Sequence, residues 1–495
     1  MKKNHFYAWP KLRTTFLMGV GALLLASCAV DGFDDETYKS DVYNTELLSP
    51  AEEDIKTDAT TDGSRWIISW PVVNGAKGYD CKVYDVTTGE DIVLVDSIVD
   101  GTSFTVKREE DSNYKFVIRT IADETKGNTG SSSATTKEFT SFQESYAIIP
   151  TNQDLYEYFN ENGIPEQEEP VVYDLEANGS YTYSQTYDFG NKSIVLRCRY
   201  ENSKPTVTMG DAAITTCAPL TLKNIKFDCT AISGAVVALS KDEEQYTPLK
   251  GKTGSGDYYN IMGGTIYFAN CEFENVPNKL IFDNDIKYCA ETVLIDNCKI
   301  HFVIPSKISD HAYIYFKSGF IKDLTIKNST LWNTGEGDLQ YFVRYNNSGR
   351  LDRAGYDKNT TTQSVNHINS TFYNLAHGWW ANYNGFAGQK YTSFDIERNI
   401  FVECGKGGSG IARRLLGGRN ATSYGKCVFG YNTYWTNGAA EKEGAPNSVE
   451  GATSTYDTSG NALQSDPALV NPAGGDLTPI GSEQVELHTG DPRWW

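Results

Sequence analysis

The sequence predicts an all-β chain in two parts: a small N-terminal β-sandwich, then a right-handed parallel β-helix. Three observations carry this expectation. Period-2 apolar alternation runs through residues 51–142, an Asn-x-x-apolar signature recurs between residues 224 and 437, and the composition pairs 44 Gly, 31 Tyr and 35 Asn with only 4 Met. Gly and Asn supply turns and Tyr supplies strands. A chain of 495 residues exceeds one ordinary domain. Aromatic residues at 13% provide enough material for packed cores. A formal net charge of −20 argues against nucleic acid as a partner, since phosphate binding needs a basic surface.

Residues 1–27 read as a signal peptide. Lys2, Lys3, Lys11 and Arg13 form a basic head, and residues 16–26 (FLMGVGALLLA) are apolar but too short to span a bilayer. The stretch ends in Leu25-Ala26-Ser27-Cys28. This resembles the lipobox of bacterial lipoproteins, which implies cleavage before Cys28 and lipidation on it, a durable anchor. Removing 1–27 takes away four basic and no acidic residues, leaving a charge of about −24. Residues 28–50 read as an acidic tether. Its Asp31-Gly-Phe-Asp34-Asp35-Glu36 run resembles the surface-export signal of Bacteroidetes lipoproteins, which implies an outer-membrane protein facing the exterior. No later run reaches 18 uninterrupted apolar residues, so the lipid is the expected membrane contact.

Residues 51–142 carry Trp66-Ile-Ile-Ser-Trp70-Pro, Gly75-Ala-Lys-Gly-Tyr79-Asp-Cys-Lys-Val-Tyr84 and Tyr114-Lys-Phe-Val-Ile-Arg-Thr120, separated by Gly, Asp and Asn turns. These are sandwich strands. Together they resemble a fibronectin type III domain, which implies a core role for Trp70 and a corner role for Tyr114.

Residues 143–495 form the predicted β-helix. Asn224, Asn270, Asn297, Asn328, Asn369 and Asn432 each begin an Asn-x-x-apolar copy, with Arg398 beginning a degenerate one, and alternating strands precede most copies. A strand-turn-strand signature at irregular intervals means a solenoid with insertions on its loops. Asn tolerates a left-handed turn and can bond to the Asn of the next coil, while the apolar residue three positions on points inward. A short helix and a lead-in strand within 143–175 should cap one end, and the Gly-rich segment 440–495, ending Gly490-Asp-Pro-Arg-Trp-Trp495, should close the other. After Cys28, nine cysteines at irregular spacing without a CxxC pair read mostly as small buried hydrophobes, with room for one or two disulfides.

Lipobox, sandwich, Asn-marked coils and the GDPRW-type terminus together resemble Bacteroidetes cell-surface lipoproteins with a pectin-lyase-like β-helix, associated with polysaccharide utilisation. The resemblance implies glycan capture and an outer-membrane glycan transporter as a protein partner. It carries over no chemistry. The polygalacturonase motifs NTD, DD, GHG and RIK are missing from the coils, as are the pectate-lyase motifs WxDH and RxPxxR. Asp283-Asn-Asp285 sets two carboxylates at period 2, on one strand face or in a solvated turn. His301, His311, His367 and His377 are scattered without HxH or HExxH, so no metal site or other cofactor is expected, and no motif supports Ca²⁺.

Arginine is more informative. Six of the 13 Arg after Cys28 fall in two Gly- and Asn-rich stretches that read as loops: Arg344, Arg350 and Arg353, then Arg413, Arg414 and Arg419. Between them lie His377, Trp379, Trp380 and Tyr383. Guanidinium forks match carboxylates and aromatic faces stack on sugar rings. The six Arg with Trp379, Trp380 and Tyr383 are therefore the predicted ligand-binding set, sharing a face because consecutive coils stack. The expected function is binding of a polysaccharide, acidic and pectin-like. A divergent polysaccharide lyase or hydrolase is the alternative.

Overall fold

In the computed structural model, which describes residues 42–441 and 456–495 apart from 62, 110, 250, 252–257 and 408–409, most of the regular structure is strand. The expected signal peptide, the expected lipidation site Cys28 and the first part of the expected tether lie outside the described residues. The chain divides into two units at residues 142 and 143.

The first unit has seven strands, joined by short connections except the longer one between the last two: β1 (Lys56–Ala59), β2 (Arg65–Ser69), β3 (Ala76–Asp85), β4 (Ile92–Val99), β5 (Ser103–Lys107), β6 (Asn113–Ala122) and β7 (Thr135–Thr140). They pair antiparallel in two sheets, β1-β2-β5 and β4-β3-β6-β7, whose inward residues share one apolar cluster. Trp70 is buried there, its ring 5.3 Å from Tyr79 and 5.7 Å from Phe116. The Tyr114 hydroxyl accepts the Glu109 N–H at 2.7 Å and ties down the turn before β6. The tether ends earlier than expected. Leu47 is buried in this cluster, and its N–H bonds the Thr129 carbonyl at 2.9 Å. Val42 and Leu47 pack on the sandwich core, and the backbone beside them bridges Thr129 in the connection between β6 and β7, which draws this polar stretch onto the sandwich.

In the second unit, strands are laid down in rotation on three faces. Val171–Leu175 lies on face one, Ser180–Tyr183 on face two, Tyr187–Asp188 on face three, and Ile194–Arg197 returns to face one. The faces hold ten, ten and seven strands, with neighbours parallel except at Thr433–Thr436 with Ala439–Ala440. This is the arrangement of a parallel β-helix, each coil buried on its neighbours. Leu155 and Phe159 of the helix Leu155–Asn162 are buried in the same core at its first coil.

The turn from face one to face two is where the recurrent Asn acts. Asn224, Asn270, Asn297, Asn328 and Asn369 all have left-handed backbone, with φ of 56°, 50°, 53°, 50° and 47°. Asn270 Nδ2 donates to Asn224 Oδ1 at 2.9 Å, and Asn297 Nδ2 to Asn270 Oδ1 at 3.3 Å. The next position makes a second, buried ladder. Cys298 N–H bonds Ser329 Oγ, Ser329 N–H bonds Ser370 Oγ, Ser370 N–H bonds Asn399 Oδ1 and Asn399 N–H bonds Asn432 Oδ1, at 3.0–3.3 Å. Cys271 and Cys298 occupy this ladder position, and all nine described cysteines are free. Inward residues then form a column, Phe227, Phe273, Ile300, Leu331, Phe372, Phe401 and Tyr434, paired coil to coil. The last copy is one residue out of the predicted register. Tyr431 holds the left-handed position (φ 53°), so Asn432 lies in the buried ladder and Tyr434, not Trp435, enters the column. The Asn432 side chain fits the ladder, where it bonds Asn399 and the Ile396 carbonyl.

The C-terminal segment only partly closes the far end. Asp457 accepts the Tyr434 hydroxyl at 2.9 Å and Leu463 bridges Thr433. The last residues instead turn back along face two as a strap. Asp491 Oδ2 accepts Thr330 Oγ1 at 2.7 Å, Trp494 Nε1 donates to the same Oγ1 at 2.7 Å, and Arg493 reaches Asn297 Oδ1 at 2.9 Å. Polar Thr side chains on an outward face create partners that a Gly-Asp-Pro-Arg-Trp tail can satisfy.

Candidate functional site

Face three carries a second apolar cluster outside the core. Ala312, Tyr315 and Tyr341 are buried in it, and Phe282 and Trp379 pack against them. Strand register explains the alignment. Phe282 pairs with Tyr315 and Tyr315 with Arg344, while Ala312 pairs with Tyr341 and Tyr341 with Trp379. Four consecutive strands, Lys279–Phe282, Ile308–Phe316, Leu339–Tyr345 and Trp379–Asn382, thus contribute one outward ribbon. It spans about 14 Å at the usual strand spacing. Phe282 and Tyr315 stack at 5.5 Å and 22°, and Tyr341 meets Trp379 edge-on at 6.1 Å.

Cations lie on these rings. Arg414 is 3.6 Å above Trp379, Arg344 is 5.5 Å from Tyr341, and Lys279 is 5.0 Å from Phe282, while neighbouring Arg413 lies outside the ribbon's rings, 5.8 Å from Tyr456. The His311 ring is 5.3 Å from Tyr315. Burial pushes Lys279, His311, Arg344 and Arg414 below their ordinary pKa values, with Lys279 and Lys317 adding to the effect on His311 and Arg413 to that on Arg414. The arginines stay charged regardless. Asp310 pairs with Arg344, yet the Nε of Arg344 and of Arg413 is buried without an acceptor. A partly desolvated cationic surface of this kind is relieved by an anion.

The structure brings together Arg344, Trp379, Arg413 and Arg414 from the predicted set. It separates the rest. Trp380 and Tyr383 are fully buried core residues, Trp380 stacking on Phe342 at 4.2 Å and Tyr383 packing on Tyr345 at 5.3 Å, so neither can touch a ligand. Successive strand side chains alternate sides, which puts Trp379 out and Trp380 in. Arg350 and Arg353 lie beyond the face-three strand, on the connection back to face one, where Arg350 Nε pairs with Asp352 at 2.7 Å. Arg419 is on the equivalent connection of a later coil, against Gly388. Nor are the stretches simply loops. Arg344 sits in a strand, Arg353 in the short helix Leu351–Ala354, and Arg413 and Arg414 in the helix Ile411–Leu415.

Asp283-Asn-Asp285 is a turn, with Asn284 and Asp285 left-handed at φ 56° and 62°. Asp283 is buried and accepts the N–H groups of Asp285, Ser318 and Gly319, while burial lifts its carboxyl to about 7. It holds backbone across two coils. Among the described residues no three His, Cys, Asp or Glu stand close enough to hold a metal ion. Lys279, Phe282 and Tyr315 carry no signal in the sequence, where His311 reads only as one of four scattered histidines. The number of residues between each turn Asn and its face-three strand varies from coil to coil, so their alignment has no linear signature.

Residues 1–179 match a family model described as a domain of unknown function (DUF4992), and residues 179–334 match a second described in the same words (DUF4957). Phe282 and Tyr315 fall within the second match, while Arg344, Trp379 and Arg414 lie beyond it. No curated protein and no solved structure matches the chain.

Proposed function

We propose that the chain is a lipid-anchored outer-membrane protein, facing the exterior, that binds an acidic, pectin-like polysaccharide along face three. The observation that carries this reading is the aromatic ribbon crossing four coils with Lys279, Arg344 and Arg414 on its rings. The partly exposed rings, Phe282 and Trp379, supply stacking for sugar faces beside buried Tyr315 and Tyr341, and the cations supply selectivity for carboxylates. The β-helix, taken as right-handed, provides a rigid floor that repeats along its axis. The first unit is read as a fibronectin type III-like spacer, supported by its three-plus-four strand order and its Tyr114 corner.

Titration calorimetry with polygalacturonate and with a neutral galactan, at low salt and at about 0.5 M, tests the reading. Trp379→Ala should weaken both ligands by about 0.5–1.5 kcal/mol with little salt dependence. An Arg344→Gln/Arg413→Gln/Arg414→Gln variant should lose the acidic glycan selectively, and wild-type affinity for it should fall with salt as exposed pairs are screened. Unchanged binding in the triple variant would refute the assignment.

A further inference from the structure

Beside the ribbon, on the corner between faces two and three, four coils leave a polar cleft of about 280 Å³ lined by Lys307, Glu336, Asp338, Asn374, His377 and Lys406. Asp338 stands three residues before Tyr341, and His377 two before Trp379, so the cleft borders the ribbon without sharing its rings. Asp338 is 5% exposed. Its Oδ1 accepts the Tyr313 hydroxyl at 2.6 Å and the Ala376 N–H at 3.0 Å, while its Oδ2 is buried with no partner. The Nε2 of His377 is likewise buried and unmatched. A buried carboxylate oxygen without a donor costs stability, and native proteins keep such a group where a ligand completes it. Burial lifts the Asp338 carboxyl to about 6, against the pull of Tyr313 and Lys406.

The floor therefore asks for a hydrogen-bond donor, while at the rim Lys307 and Lys406, the latter already donating to Asn374 Oδ1, set two positive charges against the single carboxylate of Glu336 and leave room for an anion. A bare anion would meet the Asp338 carboxylate, and a neutral sugar would leave the lysines unused. The volume is at the low end for small-molecule sites, enough for one ring and not for a chain.

We propose that this cleft binds a single sugar-acid unit, a ring hydroxyl donating to Asp338 Oδ2 and the carboxylate meeting Lys307 and Lys406. The ligand class rests on the acidic-glycan reading above; the location rests on the cleft alone. Such a site would hold the end of a chain whose neighbouring units lie on the ribbon.

Calorimetry on the full chain with monomeric galacturonate and with galactose tests it. Galacturonate should bind the wild type about tenfold more tightly than galactose, and Lys307→Gln/Lys406→Gln should erase that difference. Asp338→Asn should weaken galacturonate about tenfold. Trp379→Ala should leave the monosaccharide unaffected while weakening polygalacturonate. Both lysines are exposed, so their variant remains informative if Asp338→Asn folds poorly. Equal affinity for the two sugars, or an unchanged lysine variant, overturns the proposal. A chain that binds polygalacturonate but not galacturonate refutes the cleft alone. A chain that binds neither refutes the ribbon as well.

Discussion

His367 is a fully buried imidazole whose Nε2 accepts Trp380 Nε1 at 3.4 Å and whose Nδ1 has no partner. Burial lowers its pKa from 6.5 to about 3. The folded chain thus keeps it neutral where the unfolded chain protonates it, and stability is lost as pH falls from 6.5 toward 3, by about 1.4 kcal/mol per unit. Asp283 and Asp338, raised to about 7 and about 6, work in the opposite direction, their burial cost being relieved as pH falls toward 3.8. A comparison of His367→Leu with wild type isolates the histidine. The variant's relative stability in denaturant melts should rise by about 1–1.5 kcal/mol between pH 7.5 and pH 5.5. A pH-independent difference would mean that His367 titrates normally. At Asn328, φ 50° and a bond from Nδ2 to Asp296 at 3.0 Å act together. Asn328→Ala should cost about 1–2 kcal/mol and Asn328→Gly less, because only the backbone penalty is spared in glycine. Arg350 is half-buried and paired with Asp352, so Arg350→Ala should cost about 0.2–1 kcal/mol.

The strap is the element whose role differs most from the expected end closure. Gly490 has φ 85°, and a Cβ there would stand 2.6 Å from Thr371 Oγ1 and 2.9 Å from Ile400 Cδ1. Its N–H bonds the Arg398 carbonyl, and Arg398 Nη1 returns to the Leu487 carbonyl at 2.7 Å. Gly490→Ala should therefore destabilise by about 1–3 kcal/mol, read as a lower denaturant midpoint at unchanged slope. Free release of the strap would instead expose Thr330 and Thr371 and speed proteolysis after residue 487. A variant with wild-type midpoint and wild-type proteolysis would show that the strap contributes nothing to the coils beneath it.

At the scale of the whole molecule, the proposed acidic-glycan reading has to work within a net charge of −20, so binding would depend on the local cations Lys279, Arg344 and Arg414 and not on general attraction. Among the described residues no helix is long and apolar enough to cross a membrane. On the lipoprotein reading, Cys28→Ala should abolish lipid labelling and move the protein out of the membrane fraction. Retention of label and membrane association by that variant would sink the anchor assignment.

The all-β class and the stacked coils were legible in the sequence, because a left-handed Asn turn and an inward residue three positions later are local requirements that each coil repeats. Asn328 and Phe372 could be placed without a structure. The candidate site was legible only in part. Arg344, Arg413, Arg414 and Trp379 were found by local concentration, but Trp380 and Tyr383 differ from useful neighbours only by strand parity, and one residue of slip reverses a side chain. Lys279, His311 and Tyr315, and Asp338 with Lys406, come from separate coils with inserts of different length. Their meeting depends on lateral register, which is settled by inter-coil hydrogen bonds and core packing summed over the whole stack. A periodic local rule specifies the coil. Which outward side chains share a face is decided by where each coil's insertion lets the next strand begin.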